Sequence, residues 1–207
     1  MTRPYVQRAR AESADRTRRQ VLDAARAAVL AEGRLEFSVG DIAADARVAR
    51  STIYATFGSR TGLLAALADD ALHRAGLEQV IAEYRQPDAV VALERSLRAS
   101  CRMYAADHRV FTRLLMLREV DPEAAEPLAR SQGDRAYGMA DLSGRLAAQG
   151  RLRPGMTPER AADILWVLTG FWTFDELFSG RGLDADASAD VLLEMARSTV
   201  LDREPGA

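Results

Sequence analysis

The chain is predicted to be all-α, with a short three-helix unit at its start and a longer helical part behind it. Three observations predict this. Apolar residues recur every three or four positions along most of the chain. Gly and Pro are sparse and fall between those runs, and Ala, Leu and Arg dominate while β-branched clusters are few. At 207 residues the chain is one large domain or two small ones, long enough for a real core.

Residues 1–14 contain Arg3, Arg8 and Arg10 and read as a disordered arm, either a solvated tail or one that reaches phosphates or a minor groove. From about Asp15 to Glu32, the positions Val21, Leu22, Ala25, Val29 and Leu30 predict a first helix, stopped by Gly33. Arg16, Arg18 and Arg19 then fall in its first turn, where the helix dipole disfavours cations. Either they form a solvated face or a phosphate compensates them.

Residues 38–60 are the stretch around which the rest is organised. Ser38 is an N-cap, and Asp41 three residues on completes a capping-box-like pair ahead of Val39, Ile42, Ala43 and Ala46. A tight turn through Arg47 and Val48 follows. In the next short helix Ile53 and Phe57, with Val48, point inward at helical spacing. Arg50, Ser51, Thr52, Tyr54 and Ala55 are left on the other face, small or hydrogen-bonding side chains around one guanidinium. This is the layout of a helix-turn-helix, whose second helix lies in the DNA major groove.

Gly58 ends that helix and Ser59 caps a fourth, carrying Leu63, Leu64, Leu67, Ala71 and Leu72 to about Tyr84 before Gln86-Pro87. Five more patterns follow, at Val90–Ala106, Arg109–Val120, Glu123–Gln149, Pro158–Phe178 and Ala187–Leu201, making about nine helices in all. Pro127 is expected in the first turn of the seventh helix, or to delay its start. The run from Ile164 to Phe174 is apolar nearly all round and needs two buried faces.

Composition excludes several function classes. All 28 basic residues are arginine, which rules out a Walker-A loop, a Schiff-base lysine and a lysine general base. Cys101 is the only cysteine and there are two histidines, too few for a typical zinc site, so neither a metal nor a cofactor is expected. There is no nucleophile elbow, HExxH or dinucleotide fingerprint, so no catalytic residue is assigned and an enzyme is not expected. No apolar run approaches membrane-spanning length and no signal-peptide pattern follows the first arginines, which predicts a cytoplasmic protein without a membrane partner. Net charge is +4 over residues 1–60 and −6 over 61–207, a split that suits nucleic-acid binding by the first part only.

The run Phe37-Ser38-Val39, Ile42-Ala43, Ala46-Arg47-Val48, Ser51-Thr52-Ile53-Tyr54, Phe57 and Ser59-Arg60 with Leu63-Leu64 resembles the TetR family of dimeric transcriptional regulators. The likeness covers roughly the first third of the chain. It implies a DNA-binding domain over residues 15–60 and a helical effector-binding and dimerisation domain over 61–207. The implied DNA contacts are Ser38, Arg50, Ser51, Thr52, Tyr54, Ala55, Thr56 and Arg60, with Arg50 reading bases and Arg60 a phosphate. The chain departs from the family at Arg47, usually Gly, so either a non-Gly residue takes φ > 0 or the turn closes differently. It departs again at Ala49, usually a Ser N-cap, at Thr56, commonly His, and at Arg60, commonly Lys.

The resemblance further implies a homodimer through the last two helices on a palindromic double-stranded operator, with release by a small-molecule effector. Met103, Tyr104, Phe111, Leu115, Tyr137, Trp166, Thr169 and Trp172 are the candidates to line the effector site, and the same spacing equally suits ordinary core. The competing reading is a helical interaction module without specific DNA binding, to which Arg47 and Ala49 lend themselves.

Overall fold

The structure, a computed structural model, describes residues 3–31 and 37–202. It is helical with no strand among those residues, and eleven helices follow in chain order. They are α1 (Arg3–Leu30), α2 (Val39–Asp45), α3 (Arg50–Phe57), α4 (Arg60–Ala75), α5 (Leu77–Tyr84), α6 (Ala89–Ala106), α7 (His108–Val120), α8 (Pro122–Ala148), α9 (Pro158–Leu168), α10 (Phe171–Phe178) and α11 (Ala185–Thr199).

The count exceeds nine because two expected helices are broken. Gly76 sits at φ 103°, a left-handed value that costs a glycine little, and there the fourth pattern divides into α4 and α5. The Pro158–Phe178 pattern divides at Thr169-Gly170. Thr169 donates its hydroxyl to the Leu165 carbonyl at 2.7 Å and Thr173 to that of Val167 at 2.6 Å, and Gly170 turns to extended backbone at ψ 146°.

Two further expectations change. The first helix starts at Arg3 rather than Asp15, so the segment read as an arm is helical from that residue. Ala9, Arg10, Ala11, Glu12 and Ala14 are strong helix formers, and Pro4 occupies the first turn, where a missing N–H costs nothing. Arg16, Arg18 and Arg19 are therefore mid-helix, and the dipole argument for a compensating phosphate no longer applies. Pro127 lies inside α8, which starts earlier, at Pro122, so it has no N–H to give the carbonyl four residues back. The predicted stop at Gly33 lies outside the described residues.

Two compact units are present. One holds the described residues up to Ala71 together with Arg109–Ala129. Its core joins Val21, Leu22 and Ala25 of α1 to Ile42 of α2, Ile53 of α3 and Leu63, Leu64 and Leu67 of α4, with Val110, Leu114 and Leu117 of α7. The other holds Leu72–His108 and the described residues from Arg130 onward. Leu93 and Leu97 of α6, Leu142 and Leu146 of α8, Leu165 of α9, Phe174 of α10 and Leu192 of α11 form its core.

Three helix starts in the second unit, those of α6, α9 and α11, carry side-chain caps. Asp88 accepts from the Val90 and Val91 N–H groups, Thr157 from Arg160, and Asp184 from Ala187. Its core contains two exceptions to polar pairing. The Ser143 and Ser188 hydroxyls are fully buried and have no hydrogen-bond partner among the described residues. An unpaired buried hydroxyl costs roughly 1–3 kcal/mol, so Ser188→Ala is expected to raise stability by about 1 kcal/mol in urea unfolding. A lower unfolding midpoint would mean that an ordered water satisfies the hydroxyl.

Candidate nucleic-acid interface

Helix α2 starts as the sequence predicts, with Ser38 Oγ accepting from the Asp41 N–H at 3.3 Å. It ends at Ala46, and the Val48 N–H closes the turn onto the Ala43 carbonyl at 3.0 Å. Between them Arg47 adopts φ 53°, the only non-glycine residue with positive φ among those described. The turn thus keeps the geometry that a glycine would favour and strains an arginine to do so.

Ala49 follows in extended backbone (φ −71°, ψ 149°) and gives α3 no side-chain cap. Two local costs therefore sit side by side. Arg47→Gly removes the left-handed penalty of about 1–2 kcal/mol but adds glycine's unfolded-state entropy, for a net gain of about 0.5–1 kcal/mol. Ala49→Ser is expected to add about 1 kcal/mol. Thermal unfolding of each variant checks both, and a loss of stability in Arg47→Gly would mean the arginine side chain makes a compensating contact.

Ile53 is fully buried and Val48 and Phe57 are partly buried against the same core, fixing the roll of α3. The Arg18 guanidinium lies 4.8 Å over the Phe57 ring, giving that mid-helix cation a cation–π role. Arg50, Ser51, Tyr54, Ala55 and Thr56 are exposed on the opposite face and Thr52 is half-buried, so the structure brings these six site residues onto one helix. The Thr56 hydroxyl donates to the Thr52 carbonyl at 2.8 Å. Gly40 is a residue that sequence reasoning passed over. A Cβ built there would overlap the Arg50 guanidinium, so its hydrogen leaves the arginine room against the start of α2.

The two remaining DNA-contact candidates are held by the protein itself. Ser38 spends its oxygen on the cap. Arg60, at the start of α4, donates from Nε to the Phe37 carbonyl at 3.0 Å, pairs with Asp121, and reaches Glu123 at 3.1 Å. No local pattern announces Asp121 and Glu123, which lie more than sixty residues away.

The Arg60 hydrogen bond is the main reason the Asp121 carboxyl is held below its ordinary pKa, aided by the Arg60 charge and nearby backbone N–H groups against a smaller opposing effect of burial. A lowered folded-state pKa means that this pair stabilises the fold above the ordinary value of 3.8 and that the contribution is lost as pH falls through the folded value. Asp121→Asn is expected to flatten the acid limb of stability against pH below about 4. Urea midpoints between pH 2.5 and 6 check this, and an unchanged acid limb would show that the pair does not outlast solvent screening.

The effector candidates are dispersed. Tyr104 of α6 donates its hydroxyl to the Thr169 carbonyl at 3.2 Å, and Trp166 and Thr169 both contact Arg135 of α8. Those three candidates therefore form one cluster around an arginine that was not singled out. Met103 is buried on α6, Trp172 is partly exposed on α10, and Tyr137 is 77% exposed on α8. Phe111, buried, and Leu115, half-buried, belong to the first unit.

Residues 21–67 match the model of the bacterial regulatory proteins of the tetR family. No curated protein matches the chain. Among solved structures, NalD, the secondary repressor of the MexAB-OprM multidrug efflux pump in Pseudomonas aeruginosa, is 26% identical with a TM-score of 0.73, covering 92% of this chain and 98% of its own. SmeT, the repressor of the Stenotrophomonas maltophilia efflux pump SmeDEF, is 18% identical (TM-score 0.69), covering 92% of this chain and 93% of its own. FadR from Bacillus subtilis, solved with stearoyl-CoA, is 20% identical (TM-score 0.68), covering 86% of this chain and 96% of its own. With the α2–α3 geometry and the match across it, residues 21–67 are similar to the DNA-binding part of the bacterial regulatory proteins of the tetR family.

Proposed function

We propose that the protein is a ligand-responsive repressor that binds a palindromic operator as a homodimer and is released by a small-molecule effector. The observation that carries this is the outward face of α3, where Arg50, Ser51, Tyr54, Ala55 and Thr56 stand exposed while Ile53 anchors the helix from behind. Each subunit sets α3 in one major groove, with half-sites roughly 34–36 Å apart or near multiples of that. Arg50 reads a base edge and Ser51, Thr52 and Tyr54 hold phosphates. Arg60 reaches a phosphate only by leaving Asp121 and Glu123. The repressor sense is supported by NalD and SmeT, both efflux-pump repressors.

Residues 15–60 are the DNA-binding part in this reading, and 61–207 the effector-binding and dimerisation part. Dimerisation through the last two expected helices, now α9–α11, is supported by Val167, Trp172, Val191 and Met195, large apolar side chains that stay exposed in the single chain. Effector binding tilts α4 and moves the two recognition helices out of register, by no more than the effector's differential affinity for the two states.

The experiment is fluorescence anisotropy of the purified protein on DNA from its own promoter region and on scrambled DNA, across a salt series. Tight binding with a preference for the promoter sequence is expected. Weak binding without preference that vanishes at modest salt would leave only nonspecific electrostatics and favour an interaction module.

A further inference from the structure

Arg135 of α8, like Arg145 of the same helix, is a half-buried arginine of the second unit that no carboxylate among the described residues pairs with. Its Nη1 donates to the Trp166 carbonyl at 2.6 Å and to Thr169 Oγ1 at 3.1 Å, and its Nη2 to Gln132 Oε1 at 3.1 Å. The guanidinium carbon lies 3.5 Å over the Trp166 ring. No carboxylate pairs with it among the described residues, and burial pulls its pKa down, with Tyr104 as the opposing influence. A half-buried arginine set on an aromatic face and surrounded by neutral acceptors is an uncompensated cation, which is costly unless an anion shares the site.

Part of the arrangement is structural. The Trp166 carbonyl is among the last four of α9, and Nη1 satisfies it as a C-terminal cap. That role uses one nitrogen. A guanidinium has five N–H donors, and Nε–H finds no acceptor among the described residues. Nε and Nη2 form the edge that grips a carboxylate with two parallel bonds. Around Thr169, which Arg135 contacts, lie apolar groups: the Met139 sulfur is 3.6 Å from Thr169 Oγ1, and Tyr104, bonded to the Thr169 carbonyl, packs edge-on to Phe171 at 5.4 Å.

We infer that Arg135 is the anchor of the effector site and that the effector is an amphipathic organic carboxylate, its head on the Nε–Nη2 edge and its apolar body along Trp166, Tyr104 and Phe171. This rests on the reading of the chain as a ligand-responsive regulator. Its test uses protein without DNA, so a failure of operator binding and a failure of the anchor are separately visible.

Titration calorimetry of the full chain with octanoate, octanamide and octyltrimethylammonium gives the first readout. Octanoate is expected to bind roughly tenfold or more tightly than either of the others, as a charge-assisted arginine–carboxylate pair requires. Arg135→Gln keeps a donor for the α9 cap and removes the charge. It is expected to lose the preference for octanoate while the affinity for octanamide stays within about twofold, and Arg135→Lys to keep part of the preference. A purely structural arginine would lower the unfolding temperature in Arg135→Gln and leave the charge preference where it was. Equal binding of all three probes by the unaltered protein, no octanoate binding up to millimolar concentration, or a preference that survives Arg135→Gln would overturn the assignment.

Discussion

Arg50→Ala is expected to cost the proposed operator-bound dimer roughly 2–6 kcal/mol of preference for its operator over scrambled DNA. A bidentate arginine–guanine pair discriminates by about 1–3 kcal/mol, and a twofold dimer reads it twice. Promoter and scrambled DNA should then converge, by about thirtyfold at the least. Arg50 is exposed on α3, so the variant leaves the core untouched and the loss is not a folding effect. Gly40→Ala approaches the same residue from behind. The added methyl displaces the guanidinium while every charge is retained, and alanine in place of glycine favours α2 itself. Preference should fall with stability equal or higher. A phosphate contact behaves differently: binding to both DNAs would weaken together and the salt slope would drop by about one per subunit. That pattern for Arg50→Ala would move the base-reading role elsewhere on α3.

The parts of this site that were readable from sequence are those whose causes lie within a few residues of one another. Ser38 caps the N–H of Asp41, Gly58 closes α3 and Ser59 caps α4, so periodicity and capping chemistry together place α2 and α3. The turn could be posed only as two alternatives, because an arginine at φ 53° is fixed by the packing of Ile42 and Ile53 on either side and not by its own preference. Residues 3–14 escaped because helix formers without an apolar stripe look like a solvated tail. The breaks at Gly76 and Gly170 escaped because a glycine inside a periodic run is compatible with continuation. Partners brought together by the fold carry no local signal at all. Arg60 with Asp121, and Arg135 with Trp166, are thirty to sixty residues apart, and each changes what an arginine is available to do. Helical spacing likewise cannot say which face of α8 is buried, and Tyr137, an effector-site candidate by residue type, is exposed in the single chain.

Met195→Glu is expected to abolish dimerisation at micromolar concentration and, with it, high-affinity operator binding. Along α11, Ser188, Ala189, Leu192, Leu193 and Ala196 are buried against the unit's own core, which leaves Val191 and Met195, four residues apart, on the outward face. Met195 is 46% exposed in the single chain, so a glutamate there is solvated in the monomer and folding should be unaffected. In a twofold interface the change occurs twice. Two unpaired carboxylates confined to an apolar contact cost several kcal/mol, which raises the dissociation constant roughly a hundredfold or more. A monomer then binds half-sites independently, and the affinity gained by coupling two grooves is lost. Sedimentation velocity over a concentration series reads the first consequence and promoter-DNA anisotropy the second, with far-UV circular dichroism verifying the helical fold. If Met195→Glu remains a dimer, the outward face of α11 is not the subunit contact, and Val167→Glu on α9 is the variant that then decides whether α9 supplies it instead.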